Sequence, residues 1–290
     1  MIPASFDYSS PKALSEAISL LKQYGSDAKI LAGGQSLIPL MKLRLAAPKH
    51  LIDLNGITDL SYIRESDGHL AIGAMTRESE LDSSDLIRKK YPIIADTASV
   101  IGDPLVRNRA TVGGNLAHAD PANDHPATML ALGIDVVATG PKGKRTIPIS
   151  GFFTGLFTTA LAADEILTEI RVPIPPARSG GAYFKVERKV GDFAAAAVAA
   201  QVTLDGNTCK RVGIALTNVG MTPIRASRAE KALLGKAMDE KNILEAARIA
   251  AEEAEPTEDL RGSVDYKRSL VRVLTARALR QAIARAKGEH

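Results

Sequence analysis

The sequence predicts an α+β fold of more than one module, and three observations carry that reading. Short strand-like apolar runs alternate with helical patterns through the first half of the chain. Closely spaced prolines at Pro173, Pro175 and Pro176 remove backbone donors and stiffen the chain, marking a boundary. Beyond them strand patterns come first and helical patterns follow, the order of a separate α+β module.

Taken in order, the first helix is expected after Ser9 or Ser10 as cap, with Pro11 at its first position. Ala13, Leu14, Ala17, Ile18 and Leu21 then repeat at three and four, and Gly25 stops it. Ala28 to Ala32 reads as a buried strand that runs into Gly33-Gly34; Leu37 to Leu45 reads as one or two helical turns, and Leu51 to Leu54 as a second strand. Strands at Leu60–Arg64 and Leu70–Ala74 flank the turn Ser66-Asp67-Gly68. Thr76 is the expected cap of a following helix, and Tyr91 to Ile101 forms another. Gly102 to Pro126, rich in Gly, Asn, Asp and Pro, reads as a long loop of the kind that usually carries function. Strands resume at Ile134–Ala138 and Arg145–Ile149. After the proline boundary, strands are expected at Tyr183–Arg188, Ala194–Leu204 and Arg211–Val219. Helices follow at Ala226–Leu234, Asn242–Ala254 and Asp265–Ala286.

Composition narrows the function classes. The 290 residues carry 37 Lys and Arg against 33 Asp and Glu, too slight an excess to point to nucleic acid or a membrane surface. Tryptophan is absent and aromatics are 4%, which disfavours a base-stacking platform. The single cysteine, Cys209, excludes an internal disulfide and an all-cysteine iron–sulfur cluster, which needs four thiolates. The N-terminal residues show neither a basic region nor an apolar leader. The longest apolar run, Phe193 to Ala200, is far short of the roughly 18 residues of a membrane span. The chain reads as cytoplasmic, with no integral membrane segment and no nucleic-acid partner.

Two double-glycine segments carry the chemistry: Ala32-Gly33-Gly34-Gln35-Ser36 and Thr111-Val112-Gly113-Gly114-Asn115. Glycine permits positive φ and close backbone approach, so successive amides can converge on an anion. A helix starting after Ser36 would add its own N-terminal amides. Either loop alone is consistent with a plain tight turn; together, in a mixed framework, they favour a ligand containing a diphosphate. Neither is G-x-G-x-x-G, and Gly143-Lys144-Arg145 lacks the remainder of a P-loop, which disfavours a Rossmann dehydrogenase or an NTPase. No G-x-S-x-G elbow supports a serine hydrolase.

These two segments resemble the flavin-binding motifs of the FAD-binding medium subunits of molybdenum hydroxylases, the group that includes aerobic carbon monoxide dehydrogenase and the xanthine dehydrogenase flavin domain. Ile101 to Arg109, His118-Ala119-Asp120-Pro121 and Arg261 to Arg268 are similar to the carbon monoxide dehydrogenase type, and the resemblance runs along essentially the whole chain. It implies an α+β fold: a split FAD-binding domain of the vanillyl-alcohol-oxidase (PCMH) type, with subdomains at 1–56 and 57–174, then a C-terminal α+β domain at 177–290. FAD is the implied cofactor. The implied cofactor-binding positions are Lys29, Ala32, Gly33, Gly34, Gln35, Ser36, Ile101, Thr111, Val112, Gly113, Gly114, Asn115, Asp124, Leu167 and Lys185. Asp124 would accept from ribityl or adenosine hydroxyls, and Lys185 would lie near flavin or phosphates as a countercharge. Where members commonly carry tyrosine in Gly191-Asp192-Phe193, this chain has Phe193, which removes a hydroxyl near the flavin. The implied partners are a large molybdenum-cofactor subunit and a small iron–sulfur subunit, in a dimer of heterotrimers. The implied role is electron transfer through FAD, with no catalytic acid or base on this chain. The alternative is a stand-alone FAD-dependent oxidoreductase of the same superfold.

Other groupings are weaker. His118, Asp120, Asp124 and His125 could be drawn as a metal cluster, but their spacing matches no metal motif, and no metal is expected. Cys209, following Asp205-Gly206-Asn207, reads as a bystander thiol at a strand start. From Arg261 onward eight basic and two acidic residues occur. Leu270, Leu274 and Ala278 form an apolar stripe there, so this is expected to be a packed helix with a solvated basic face.

Overall fold

Three main sheets and a two-stranded ribbon, Phe153–Gly155 with Thr158–Thr159, lie along residues 2–289, the part of the chain that the computed structural model describes. In the first, Asp7–Ser9 and Ala28–Leu31 both pair in parallel with a central strand, His50–Asp53. Parallel neighbours need crossovers, supplied by the helices Leu14–Tyr24 and Leu37–Lys42. All four residues of His50–Asp53 are buried, as expected of a central strand covered on both faces. Gly25 ends the first helix at φ +52°. Its start differs from the sequence expectation: Asp7–Ser9 is strand, the N-cap is Ala13, and Ser9 pairs with the His50 ring at 2.9 Å instead of capping. Registration against the central strand wins over the local capping preference.

The second sheet is antiparallel, in the order Ile63–Ser66, His69–Gly73, Ile166–Pro173, Asp135–Gly140, Gly143–Pro148. Its middle strand, Ile166–Pro173, falls mostly in a stretch for which the sequence predicts no element, and only its end meets the proline boundary. Ile166, Thr168, Ile170 and Val172 alternate with Glu169 and Arg171, a period of two that was present to be read. Pro173 sits at the strand end opposite His69, where a missing donor is tolerated. Helices Pro92–Ser99, Val112–His118 and His125–Leu132 accompany this sheet, and Leu70, Ile72, Ile94, Leu116, Met129, Val136, Phe152 and Ile170 form one core. The stretch 102–126 therefore contains short helices, Pro104–Arg107 and Val112–His118, where an irregular loop was expected. Asp103 and Thr111 cap them, accepting from Val106 N and Gly114 N.

The third sheet runs Ser179–Val186, Ala196–Asp205, Thr208–Thr217, Ile224–Arg225, all antiparallel. Helices Ser227–Leu233, Glu240–Glu253 and Val264–Lys287 cover one face. The apolar run through Ala200 is explained by its neighbours. Ala196, Val198, Ala200 and Val202 face those helices, whereas Ala197 and Ala199, with Ala215 and Tyr183, join the core of the second sheet. Small residues line that second contact: a Cβ on Gly213 would stand 2.0 Å from the carbonyl oxygen of Ala131. Arg285 of the last helix reaches past the sheet edge to Asp96, at 2.5 and 3.0 Å, and to the Gly181 carbonyl at 2.6 Å. Among the described residues no helix is long and apolar enough to cross a membrane.

Gly213→Ala is expected to lower stability by about 1–3 kcal/mol, because the added methyl meets backbone that cannot rotate away. Urea or thermal denaturation measures this, and an unchanged midpoint would remove the close-approach explanation.

Candidate functional site

The strand Ala28–Leu31 delivers the first glycine segment, with Lys29 exposed on it, and the helix Leu37–Lys42 begins directly after Ser36. Gly34 has φ +76°, which favours glycine, and a Cβ there would lie 2.7 Å from Ile38 Cδ1. Among the described residues no protein group accepts from the amides of Gly33, Gly34, Gln35 or Ser36. Four successive donors are thus left for a ligand or solvent, the arrangement of an anion nest.

The second segment is wired differently. Val112 N donates to Thr76 O, Gly113 N to Ala74 O, Gly114 N to Thr111 Oγ1, and Asn115 N to Thr111 O. Its amides are occupied, so its glycines act through size. A Cβ on Gly113 would lie 2.5 Å from Ala74 Cβ. The two segments also touch. A Cβ on Gly33 would lie 2.4 Å from the Arg109 carbonyl oxygen, and one on Gly114 would lie 3.4 Å from Ala32 Cβ. Beside this meeting point Asn115 Oδ1 is buried without a hydrogen-bond partner. A free amide run, a glycine cradle and an orphaned acceptor fit a ligand that presents both phosphates and hydroxyl or amide donors, as FAD does.

The remaining predicted positions divide. Ile101 is buried next to Gly102, and the Gly191–Phe193 loop packs there: a Cβ on Gly191 would be 3.2 Å from Gly102 C. Leu167 is a core residue beside a bulge of the middle strand. Asp124 and Lys185 face each other. Asp124 accepts from Tyr183 Oη at 2.5 Å and from Lys185 Nζ at 3.0 Å, and Lys185 also donates to Val100 O at 3.1 Å. Burial pushes the Asp124 carboxyl up, opposed by Lys185 and Tyr183; burial, reinforced by Asp124, pushes the Tyr183 phenol up as well. Hydrogen-bonding groups that the sequence reading directed at the cofactor are here directed at one another, across the contact between the second and third sheets. His125 pairs with Glu78 at 2.6 Å, both fully buried; Asp120 accepts from Ala122 N and stands 4.0 Å from His118 Nε2, so His118 and Asp120 keep together while His125 and Asp124 turn to other partners.

Phe193 is exposed, with the Arg261 guanidinium 5.6 Å from its ring centroid. Arg261 Nη2 donates to Asp192 at 2.9 Å, and this bond, with the Phe193 amide and Arg188, holds the Asp192 carboxyl down at about 2. Sequence reasoning missed Asn55 and Arg77, which lie between the two glycine segments. Arg77 Nη1 donates to Arg109 O, Arg77 Nη2 to Asn55 Oδ1, and Asn55 Nδ2 to Ala32 O. Neither belongs to a motif; only the strand end His50–Asp53 preceding Asn55 hinted at its position.

Fold and site together define the class, an α+β flavin-nucleotide-binding protein. Residues 4–175 match the FAD binding domain in molybdopterin dehydrogenase, and residues 181–282 match the CO dehydrogenase flavoprotein C-terminal domain. The chain belongs to this family of FAD-binding medium subunits of molybdenum hydroxylases. It is 48% identical to the carbon monoxide dehydrogenase medium chain of Hydrogenophaga pseudoflava, over 98% of this chain and 99% of that one. The solved carbon monoxide dehydrogenase from the same organism, lacking the Mo-pyranopterin moiety of its cofactor, superposes with a TM-score of 0.96 at 49% identity, covering 98% of this chain and 99% of that one. Quinoline 2-oxidoreductase from Pseudomonas putida 86 superposes with a TM-score of 0.92 at 35% identity, covering 99% of each.

Lys185→Met strands a buried carboxylate and is expected to cost about 3–5 kcal/mol near neutral pH. With the Asp124 pKa raised further in the folded state, the variant should be most stable below the ordinary value of 3.8 and weaken as pH rises through the raised one. The double variant with Asp124→Asn should recover much of the loss; equal pH profiles for Lys185→Met and wild type would contradict the pairing. For Asp192 the sign reverses. Its lowered pKa contributes stability that is complete above 3.8 and lost as pH falls toward about 2. The stability gap between wild type and Arg261→Gln should therefore close over that window in acid titrations followed by circular dichroism.

Proposed function

We propose that this chain is the FAD-carrying electron-transfer subunit of a carbon monoxide dehydrogenase-like molybdenum hydroxylase. The observation that carries the reading is the run of four free amides, Gly33 to Ser36, whose first residue is pressed against the backbone of 109–110 that leads into the second glycine segment. Gly33, Gly34, Gln35 and Ser36 would donate to the diphosphate through their backbone N–H groups. Asn115 Oδ1 would accept from a cofactor hydroxyl or N–H. Bound FAD would supply two-electron redox chemistry, taking electrons from iron–sulfur clusters of a partner subunit and releasing them to an external acceptor. Ile101, Leu167 and the apolar core around them would keep water from the buried side of the site.

The cysteine content supports a division of labour among chains. Cys209 is buried and its thiol is pushed up to about 11 by burial, so it offers no thiolate ligand, and a cluster needs four. Iron–sulfur centres would therefore lie on a small partner subunit and the molybdenum cofactor on a large one, the whole assembling as a dimer of heterotrimers. Substrate choice would rest with the large subunit. The quinoline and carbon monoxide enzymes share this chain's fold over nearly its full length despite their different named substrates. A single cysteine, with no internal disulfide to form, is in keeping with the proposed cytoplasmic location.

The full chain reconstituted with excess FAD is expected to retain a yellow flavin spectrum after gel filtration and to bleach on reduction. The complex purified from its source should contain molybdenum and iron. A folded chain that stays colourless would overturn the reading, and substrate turnover by the isolated flavoprotein would favour the stand-alone oxidoreductase.

A further inference from the structure

We propose that Arg77, acting through Asn55, is a positioning residue that fixes the first glycine segment against the second at the spacing the FAD diphosphate requires. The inference rests on the FAD-binding reading above. The path is continuous. The forked guanidinium gives Nη1 to the Arg109 carbonyl and Nη2 to Asn55 Oδ1, both at 2.5 Å, and Asn55 Nδ2 donates onward to the Ala32 carbonyl at 2.9 Å. Arg109 O is the same atom that a Cβ on Gly33 would strike, so the guanidinium lies one carbonyl away from the start of the free amide run.

The Asn55 amide can take only one orientation. Its oxygen faces the arginine donor, while its nitrogen faces two acceptors, Ala32 O and Asp53 Oδ1. Asp53 itself accepts from Tyr8 Oη at 2.6 Å and from the Asn55 backbone N–H at 2.8 Å. The bracket is therefore anchored in the central strand of the first sheet, and a lysine, with one point of charge, could not serve both of its acceptors in the same geometry.

Two features separate positioning from support of the fold. The second glycine segment keeps its place through bonds that do not use the Arg77 side chain: Glu78 N to Ala110 O, Val112 N to Thr76 O, Gly113 N to Ala74 O, and Asn123 Nδ2 to Asn115 O. The first segment is carried by its own parallel strand. What the Arg77 side chain adds is the link between them. Among the described residues it also forms no ion pair, since both of its side-chain acceptors are neutral; Asp53 and Glu80 act on it only at longer range and Arg109 adds a second positive charge, so the region beside Gly33 favours a diphosphate.

The test compares FAD with riboflavin, which lacks the diphosphate, by fluorescence titration of the full apo-chain, with thermal midpoints measured alongside. Arg77→Gln and Asn55→Ala are each expected to weaken FAD at least tenfold while shifting riboflavin affinity less than twofold. Arg77→Lys should fall between Arg77→Gln and wild type. The double variant should be no weaker than the weaker single one, because both cut the same path. Unchanged FAD affinity in Arg77→Gln, or equal losses for FAD and riboflavin, would overturn the proposal. If Arg77→Gln fails to fold, Asn55→Ala, which leaves the guanidinium in place, decides by the same comparison. Failure of the wild-type chain to bind FAD would instead count against the functional reading.

Discussion

The close approach of two glycine segments is the constraint on which the rest of this structure depends. A methyl at Gly33 would collide with the Arg109 carbonyl, and one at Gly113 with Ala74. Both collisions involve backbone or a core residue that cannot swing aside. The first sheet must consequently present the end of Ala28–Leu31 to the backbone of 109–110, which leads into the helix Val112–His118 beside the second sheet. Placement of the second segment in turn depends on hydrogen bonds from 110–113 to the 74–78 stretch that leaves strand His69–Gly73. The site is thus an outcome of how two cores meet, with Ile52 and Leu54 in one and Ile72 and Leu116 in the other, and with Met75 and Ile166 reaching from the side of the second sheet into the first core.

The C-terminal module is joined to this arrangement by packing and by charge. Its sheet is unusual in being apolar on both faces. One face meets its own helices, and the other, where alanine and glycine surround Tyr183, lets helix His125–Leu132 lie close. Asp124, immediately before that helix, is then covered so completely that its carboxylate needs Lys185 and Tyr183 from the opposing strand. The same pair thereby fixes strand Ser179–Val186 relative to Val100, and hence to Ile101. Any effect of Lys185 on a cofactor would be exerted through a position set by this pairing.

Much of this was legible in the sequence, for identifiable reasons. The glycine pairs stood out because a close approach or a positive φ leaves few alternatives to glycine, and Gly25 marked a helix end on the same ground. The long C-terminal helix showed through its apolar repeat. The strand Ile166–Pro173 was obscured by the proline that ends it and by Leu167, which interrupts the alternation at the bulge. The helices between 102 and 126 were hidden because four to seven residues give too short a period to detect, and their capping residues, Asp103 and Thr111, are equally common in loops. Asn55 and Arg77 were beyond reach for a different reason. Their importance comes from partners 22 to 32 residues away, and nothing local distinguishes them from other polar surface residues.

The unequal wiring of the two segments bears on how a ligand is received. A loop whose amides are all satisfied, as from Val112 to Asn115, gains little from a ligand and has little freedom to lose. A loop whose amides are free, as from Gly33 to Ser36, gains several donors' worth of hydrogen bonding but would pay in conformational entropy if it were slack. Its flanks limit that slack: strand pairing ends at Leu31, the Ala32 carbonyl is held by Asn55, and the helix closes with Ile38 N on Gly34 O. The free donors are therefore confined to four residues between fixed ends. A short loop held in this way binds an anion with less ordering than a long flexible one, which is the physical advantage of setting a glycine nest against a second segment already saturated with its own bonds.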